Sequence, residues 1–403
     1  MNLHFCRKAL TNKVRAFFIF LFFIFSGCQS SQLGDQSALS SDSKQYSEPV
    51  RKLQSDGSGS EFVISFLGDV IIHERLRRRE ELTHEGYPII WSGIQKYIDA
   101  ADIRYANLEG PVAPEIGGVS GFPLFNYPEA IIPALKNSGI DVVSTANNHA
   151  LDRHASGIKK TIEHLKDHQL SYTGTVTSID QVLQKKEAWW ALSDLKNTNL
   201  KLAWLACTEM TNGNHDIENQ VLYCYKDKEK IKTLIQELKQ NPEIAGIILT
   251  PHWGEEEKFE IQPGRRLWAQ AMINLGALAI VGSHPHVVQK IEEFVALDGR
   301  RAFIAYSLGN FVSNQPWIPN KASLQLLAKM KINDREKIEL VDLKYIALWM
   351  NRTIEKEGSS KFRLSPVWDM KKMPQEAITI WNEQLGEEKR LKNSAAADVF
   401  FKK

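Results

Sequence analysis

Short apolar runs alternate along the chain with longer segments in which apolar residues recur at helical spacing. The short runs predict buried strands, and they cover residues 62–67, 103–108, 141–145, 202–206, 244–250, 278–281 and 301–307, with a further strand from 287. The longer segments predict helices, at residues 91–101, 128–138, 157–167, 226–240 and 264–276. Strands that alternate with helices are typical of the α/β class, which we therefore predict.

The pattern changes near residue 320. Residues 324–332 and 337–348 alternate apolar and polar positions and predict a hairpin, and residues 375–395 predict a polar, peripheral helix. We expect residues 316–403 to add these strands and this helix to the same domain as residues 61–315.

The first 27 residues have the features of a lipoprotein signal peptide. Four basic residues precede an apolar run over residues 16–25 that is too short to span a bilayer comfortably. Ser26 and Gly27 then precede Cys28, as in a lipobox, so we expect cleavage before Cys28 and lipidation of its sulfur. A plain secretory signal or an uncleaved anchor is the alternative. The expected location is the bacterial cell envelope, at the outer membrane in a Gram-negative cell, because Gln29 rather than Asp follows the lipobox.

Composition predicts the role of residues 28–60 and argues against a nucleic-acid partner. Residues 28–60 are rich in Ser, Gln, Gly and Asp without an apolar period, which predicts a flexible tether between lipid and domain. The whole chain is 43% hydrophobic and 24% charged, as in an ordinary globular protein. Its net charge of +2 falls to about −2 without the four basic residues of the signal, so no basic surface for nucleic acid is indicated.

Two of the four cysteines are left for the folded domain. Cys6 lies in the signal and Cys28 is the expected lipid site, which leaves Cys207 and Cys224. An exported protein permits a disulfide between them, and two free buried thiols are the alternative.

Residues that can bind a metal ion stand at the ends of predicted strands, namely Asp69, Glu109, Asn148, His252, His284 and His286. Each has an ordinary structural alternative, such as a helix N-cap, an Asx turn or a surface turn. Because strands of an α/β sheet present their carboxyl ends at one edge, we expect these side chains to converge there. Carboxylates, an amide and imidazoles suit two divalent ions of Mn, Fe or Zn, about 3.5–4 Å apart, that activate water.

Two residues of this set have the chemistry for special roles. Glu109 is the candidate bridge between the ions, because its carboxylate has two oxygens. His149 is the candidate catalytic acid, which would protonate a leaving group.

Six stretches of the sequence also resemble a known family, and they are Gly68-Asp69, Asn107-Leu108-Glu109-Gly110, Ala146-Asn147-Asn148-His149-Ala150-Leu151-Asp152, His252-Trp253-Gly254, Gly282-Ser283-His284-Pro285-His286-Val287-Val288-Gln289 and Tyr306-Ser307-Leu308-Gly309-Asn310-Phe311. In this order, over residues 61–313, they resemble the CapA family of capsule-synthesis, or poly-γ-glutamate synthesis (PgsA-like), proteins. That family is similar to calcineurin-like metallophosphoesterases. The resemblance implies a β-sandwich flanked by helices around a two-metal centre, here with extra C-terminal strands.

The resemblance also implies roles for the site residues. The metal ligands it implies are Asp69, Glu109 in place of the usual bridging aspartate, Asn148, His252, His284 and His286, with His149 as the acid. The phosphoesterase pattern has a histidine two residues after its first aspartate. Ile71 stands at that place here, and His73 is the candidate substitute.

Two functions follow from these features. The first is a metal-dependent hydrolase or transferase of the metallophosphoesterase type, which acts on an anionic envelope polymer such as poly-γ-glutamate. The second is a non-catalytic factor that binds the polymer, or anchors it, during capsule assembly. In both, the lipid anchor holds the chain at the membrane, beside capsule synthesis and export proteins.

Overall fold

The computed structural model describes residues 61–80, 86–354, 360–370 and 375–402. The predicted signal peptide (1–27), the expected lipid site Cys28 and the predicted tether (28–60) lie outside the described residues. None of the helices in the described ranges has the length and apolar character needed to cross a membrane.

The elements follow the predicted alternation of strands and helices. The strands are β1 (Glu61–Val70), β2 (Ile103–Leu108), β3 (Val142–Ser144), β4 (Ser171–Thr173), β5 (Trp190–Asp194), β6 (Lys201–Thr208), β7 (Ile244–His252), β8 (Ala279–Val281), β9 (Ile291–Val295), β10 (Arg301–Ala305), β11 (Asn310–Val312), β12 (Ala322–Ile332), β13 (Ile338–Ile354) and β14 (Ser360–Pro366). The helices are α1 (Glu74–Glu80), α2 (Pro88–Trp91), α3 (Gln95–Asp99), α4 (Ile131–Asn137), α5 (His154–Asp167), α6 (Ile179–Leu183), α7 (Lys228–Gln240), α8 (Pro263–Leu275), α9 (Gln375–Leu385) and α10 (Ser394–Phe401).

The described strands form two sheets. The first has the order β14-β13-β12-β1-β2-β3-β4, with β11 paired to the end of β1, and the second has the order β5-β6-β7-β8-β10-β9. Strands β1 to β4 are parallel to one another, and so are β6, β7, β8 and β10. Each sheet therefore presents the carboxyl ends of several strands at one edge, which is where open α/β sheets place their ligands.

The sheets pack face to face because side chains alternate along each strand. In β1, Phe66 belongs to the core between the sheets, whereas Val63 and Leu67 belong to the core under the outer helices. The Phe66 ring lies 5.9 Å from the rings of Trp204 in β6 and Phe303 in β10, which are edge-on contacts between the two sheets. The predicted β-sandwich is confirmed.

Helices cover the outer face of each sheet. Apolar residues of α3, α4 and α5 share a core with the outward side of β1, β2 and β3. Apolar residues of α7 and α8 share another with the outward side of β6 and β7. The α/β class and the flanking helices are confirmed, and β12 and β13 form the predicted hairpin on the first sheet.

The prediction of one helix over 91–101 is wrong. The chain forms α2 and α3 with a turn between them, and Gly93 lies in that turn. A Cβ atom at Gly93 would lie 2.5 Å from the carbonyl oxygen of Leu364 in β14. The break therefore reflects close contact with a strand that is remote in sequence.

Two further predictions are wrong in detail. Residues 375–395 contain all of α9 but only the start of α10. Gly386, with φ 73°, ends α9 and lets the chain turn. Helix α9 buries Ala377 and Trp381, so it packs on the domain and is not a polar, peripheral helix. The strand expected from 287 begins at Ile291, and Val288 forms only an isolated bridge to Leu308.

Cys207 and Cys224 form a disulfide, with their Cα atoms 5.1 Å apart. Both residues are buried, and the bridge closes the connection that leaves β6. The structure thus decides between the two alternatives that the sequence left open.

Candidate metal centre

The predicted ligands come from both sheets and meet where the carboxyl ends of their strands lie together. In the first sheet, β1 pairs with β2 so that Asp69 lies beside Asn107. Glu109 is the first residue after the end of β2. In the second sheet, His252 ends β7 and bridges Ser283, which precedes His284. Asp69 and His252 lie at the carboxyl ends of β1 and β7, still within the strands.

Local backbone geometry turns these residues inward. Gly68 must lack a side chain, because a Cβ atom there would lie 1.8 Å from the carbonyl oxygen of Gly309. His284 and His286, on either side of Pro285, have φ angles of 99° and 57°. Non-glycine residues with such angles cost about 1–3 kcal/mol each and concentrate at functional sites.

Glu109 is common to two groups of buried residues that could each hold a metal ion. The groups are Asp69, Glu109 and His252, and Glu109, His284 and His286, with the ligand atoms of each group within 4.8 Å of one another. Oε1 of Glu109 lies 3.7 Å from Nε2 of His252 and 3.5 Å from Nε2 of His286. The position of this oxygen fits the bridging role that the sequence predicted.

Buried polar atoms without a hydrogen-bond partner mark the same place. Oε1 of Glu109 and Nδ1 of His284 have no partner among the described residues. A buried polar atom left in this state costs about 1–3 kcal/mol, and more if it is charged. The donor set of carboxylates, imidazoles and an amide suits divalent transition metals, so the residues fit a metal site that would satisfy these atoms.

The pKa shifts reflect the burial and mutual interactions of the acids and imidazoles. Burial raises the pKa of Glu109 well above its usual value. Burial, followed by the neighbouring histidines, lowers the pKa of His252 well below its usual value and that of His284 to about 3, so both imidazoles are neutral and able to bind metal. Burial also lowers the pKa of His286, but the carboxylates of Glu109 and Asp69 outweigh it and raise the value to about 9.

Asn107 is a functional residue that the sequence reasoning missed. Its Nδ2 donates to Oδ1 of Asp69 at 2.8 Å and to Oε2 of Glu109 at 3.4 Å, so it holds the two carboxylates together. It lies within the stretch that carries the family resemblance, but only its contact with both acids shows what it does.

His149 forms a dyad with Asp152. Nδ1 of His149 donates to Oδ2 of Asp152 at 2.7 Å, and the backbone N–H of Phe125 donates to the same oxygen at 2.7 Å. The Phe125 ring lies edge-on to the imidazole at 4.6 Å. Nδ1 is therefore occupied by Asp152, and Nε2, which lies 3.5 Å from Nδ2 of Asn212, is the nitrogen left for proton transfer. Asp152 was not predicted as a site residue, although it ends the stretch that contains His149.

Asn148 lies with the predicted ligands, and its Oδ1 is 3.0 Å from Nε2 of His252. His73 lies outside both groups. Its Nδ1 accepts from the backbone N–H of Asn314 at 3.2 Å, and burial, with His286 nearby, lowers its pKa to about 4. Ile71 belongs to the apolar core, so this chain has a packing residue where the phosphoesterase pattern has a histidine. A metal-binding role for His73 stays a prediction.

Comparison with known proteins identifies the family. Residues 63–315, more than half of the chain, match the family described as bacterial capsule synthesis protein PGA_cap. The chain belongs to this capsule synthesis family. The resemblance predicted from the sequence is thereby confirmed.

Two relatives from bacilli agree with this assignment. The capsule biosynthesis protein CapA of Bacillus anthracis is 26% identical over 70% of this chain and 66% of its own length. The PGA biosynthesis protein CapA of Bacillus subtilis (strain 168) is 27% identical over 69% of this chain and 70% of its own length. The chain thus spans about two thirds of each relative.

Among solved structures, the NAD nucleotidase NadN of Haemophilus influenzae is similar with a TM-score of 0.45 and 13% identity. The similarity covers 85% of this chain and 66% of that protein. The family assignment does not depend on it.

Proposed function

We propose that the chain is a metal-dependent hydrolase or transferase of capsule synthesis with a dinuclear centre. The observation that carries the proposal is the unpartnered Glu109 oxygen, shared between two groups of buried ligands. Two bound ions would supply an activated water and polarise the substrate's reacting bond. Asp69, Glu109, Asn148, His252, His284 and His286 would hold them.

His149 would act as the general acid. With Nδ1–H held by Asp152, its Nε2 would deliver a proton to the leaving group. Asp152 would keep the ring in this orientation and stabilise the imidazolium form, as a buried carboxylate does for other catalytic histidines. The packing of Phe125 against the ring would limit its rotation.

The substrate we propose is an anionic envelope polymer such as poly-γ-glutamate. The relative from Bacillus subtilis is described as a PGA biosynthesis protein, which supports this choice. Capsule synthesis and export proteins would be its partners.

We also propose that the protein is exported and lipid-anchored through Cys28. The disulfide between Cys207 and Cys224 supports export, because disulfides persist in oxidising compartments. Mass spectrometry of the protein from bacterial membranes would detect the acyl groups. We expect the Cys28→Ala variant to lack them, and unmodified wild-type protein would contradict the proposal.

The test of the metal centre is the metal content of the purified chain, measured by elemental mass spectrometry. We expect the His284→Ala/His286→Ala variant to hold about two ions fewer than the wild type. The control is His215→Ala, because His215 is exposed and belongs to neither ligand group. Equal metal content in all three proteins would refute the dinuclear centre.

The test of catalysis is cleavage or transfer of poly-γ-glutamate by the metal-loaded protein, followed by chromatography. We expect His149→Ala to lose activity by about 10²–10⁴-fold while it keeps its metal. Metal-loaded wild-type protein that binds the polymer without turnover would instead support the non-catalytic, polymer-binding function.

A further inference from the structure

A second cluster of histidines and carboxylates lies outside the candidate metal centre. Glu115 and Glu129 belong to the connection between β2 and α4, and His164 and His168 stand one turn apart on α5 and its end. Nε2 of His164 lies 3.0 Å from Oε1 of Glu115, and its Nδ1 lies 3.6 Å from Oε1 of Glu129. The candidate ligand atoms of these three residues all lie within 4.8 Å of one another.

The His164 side chain makes this more than a group of surface acids. It is only 8% exposed, and its Nε2 has no hydrogen-bond partner, because it faces Glu115 without the alignment that a hydrogen bond requires. Nε2 of this buried imidazole faces the Glu115 carboxylate, and Nδ1 faces the Glu129 carboxylate. An ion between them would satisfy all three groups.

We propose that Glu115, Glu129 and His164 form a site for one divalent transition-metal ion of the zinc class. Imidazole and carboxylate together suit zinc, whereas calcium and magnesium favour oxygen ligands alone. Two ligand atoms around tetrahedral zinc lie about 3.3 Å apart, close to the 3.0 Å between His164 and Glu115. The Glu115 and Glu129 side chains are 48% and 45% exposed, which gives an ion a path of entry.

His168 completes the arrangement as a positioning residue. Its Nε2 lies 2.9 Å from Oε1 of Glu129, within hydrogen-bond distance. Carboxylates that bind metals are commonly oriented by such a second hydrogen bond. His168 would thus hold Glu129 in place.

An ion bound at this site would connect two segments that lead to the candidate metal centre. The connection that holds Glu115 and Glu129 also contains Phe125, whose backbone N–H donates to Asp152 just before α5. A bound ion would link this connection to α5 a second time, at His164. The ion would therefore stabilise the fold near His149 without taking part in the reaction, and the proposal does not depend on the proposed function.

The test uses full-length protein in which His252→Ala, His284→Ala and His286→Ala remove histidine ligands from both groups of the candidate metal centre. Zinc binding is measured by isothermal titration calorimetry, and thermal unfolding is followed with and without zinc. We expect one zinc ion to bind and to raise the melting temperature. The additional changes Glu115→Gln and Glu129→Gln should weaken zinc binding by at least about tenfold and remove the shift.

The matched control adds Glu163→Gln and Glu218→Gln to the same His252→Ala/His284→Ala/His286→Ala protein. These carboxylates are also exposed and removing them changes the charge equally, but each pairs with a lysine, Lys160 or Lys159, outside the cluster. The control should bind zinc as before. Absence of zinc binding before the glutamate changes, or equal weakening in the control, would overturn the proposal. Glu115 and Glu129 would then serve only as close polar neighbours of His164.

Discussion

Gly282→Ala tests whether the candidate metal centre depends on close packing between β8 and its neighbours. The new methyl group would lie 2.1 Å from the carbonyl oxygen of Tyr306 and 2.4 Å from Nε1 of Trp253. Ordinary contact begins at 3.4 Å, so the backbone would have to move by about 1.3 Å. The same methyl group would disturb the 3.0 Å hydrogen bond from Nε1 of Trp253 to Tyr306.

Two costs add in this variant. Overpacking costs about 1–3 kcal/mol, and a buried N–H that loses its acceptor costs about 1–3 kcal/mol. We therefore expect the free energy of unfolding to fall by about 2–6 kcal/mol. Gly282 lies two residues before His284, and Trp253 directly follows His252, so the displacement should also weaken metal binding.

The assay is urea denaturation of the metal-free protein, followed by metal titration. Gly264→Ala is the matched control, because Gly264 lies in α8 and a Cβ atom there meets nothing within 4 Å. We expect this control to gain about 0.4–1 kcal/mol of stability. A Gly282→Ala protein that loses less than about 1 kcal/mol and binds metal normally would refute the packing argument.

Three further predictions concern the core, the disulfide and the dyad. Phe66→Ala should cost about 3–5 kcal/mol in urea denaturation, because the ring fills the space between the sheets. Cys207→Ala/Cys224→Ala should cost about 3 kcal/mol, given a sequence separation of 17, and its guanidinium unfolding should no longer respond to a reductant. Asp152→Asn should lower turnover at least about 10²-fold in the polymer assay while metal content stays unchanged, and equal turnover would contradict the dyad's role.

The fold could be predicted largely because apolar runs mark strands that are buried on both faces. The run ending near Asp69 and the run ending near His252 become β1 and β7, and both stay parallel to their helix-linked neighbours. The strands that the sequence did not reveal are mostly short. Strand β11, for example, has three residues, and it can approach β1 because Gly68 has no Cβ atom to meet the carbonyl oxygen of Gly309. Such pairing depends on contacts between distant segments, which no local pattern contains.

The convergence of the candidate ligands could be predicted from the sequence, and their role in binding metal stays a prediction. Asp69, Glu109 and the histidines could be found because each follows an apolar run and matches a family motif. The supporting residues Asn107 and Asp152 could not be found from the sequence, because only their contacts with Asp69 and His149 distinguish them from other polar residues.

The second cluster was beyond the reach of sequence reasoning for a related reason. Glu115, Glu129 and His164 are spread over two separate elements, and charged residues at such positions are common on solvated surfaces. Only the fold brings them together, and only the structure shows that Nε2 of His164 is buried without a hydrogen bond.

Glu109 shows how a departure from a family pattern can be accommodated by structure. The Glu109 N–H donates to the carbonyl oxygen of Val70 at 3.2 Å, and the Tyr127 hydroxyl donates to the carbonyl oxygen of Glu109, so the Glu109 backbone is fixed. From this position Oε1 of Glu109 comes within 3.7 Å of Nε2 of His252, which ends β7, and 3.5 Å of Nε2 of His286, which lies in the loop after β8. An aspartate is shorter by about one C–C bond, roughly 1.5 Å, and from the same backbone it would stop short of that point. The longer side chain of Glu109 therefore suits the spacing between the two sheets at this point in the protein.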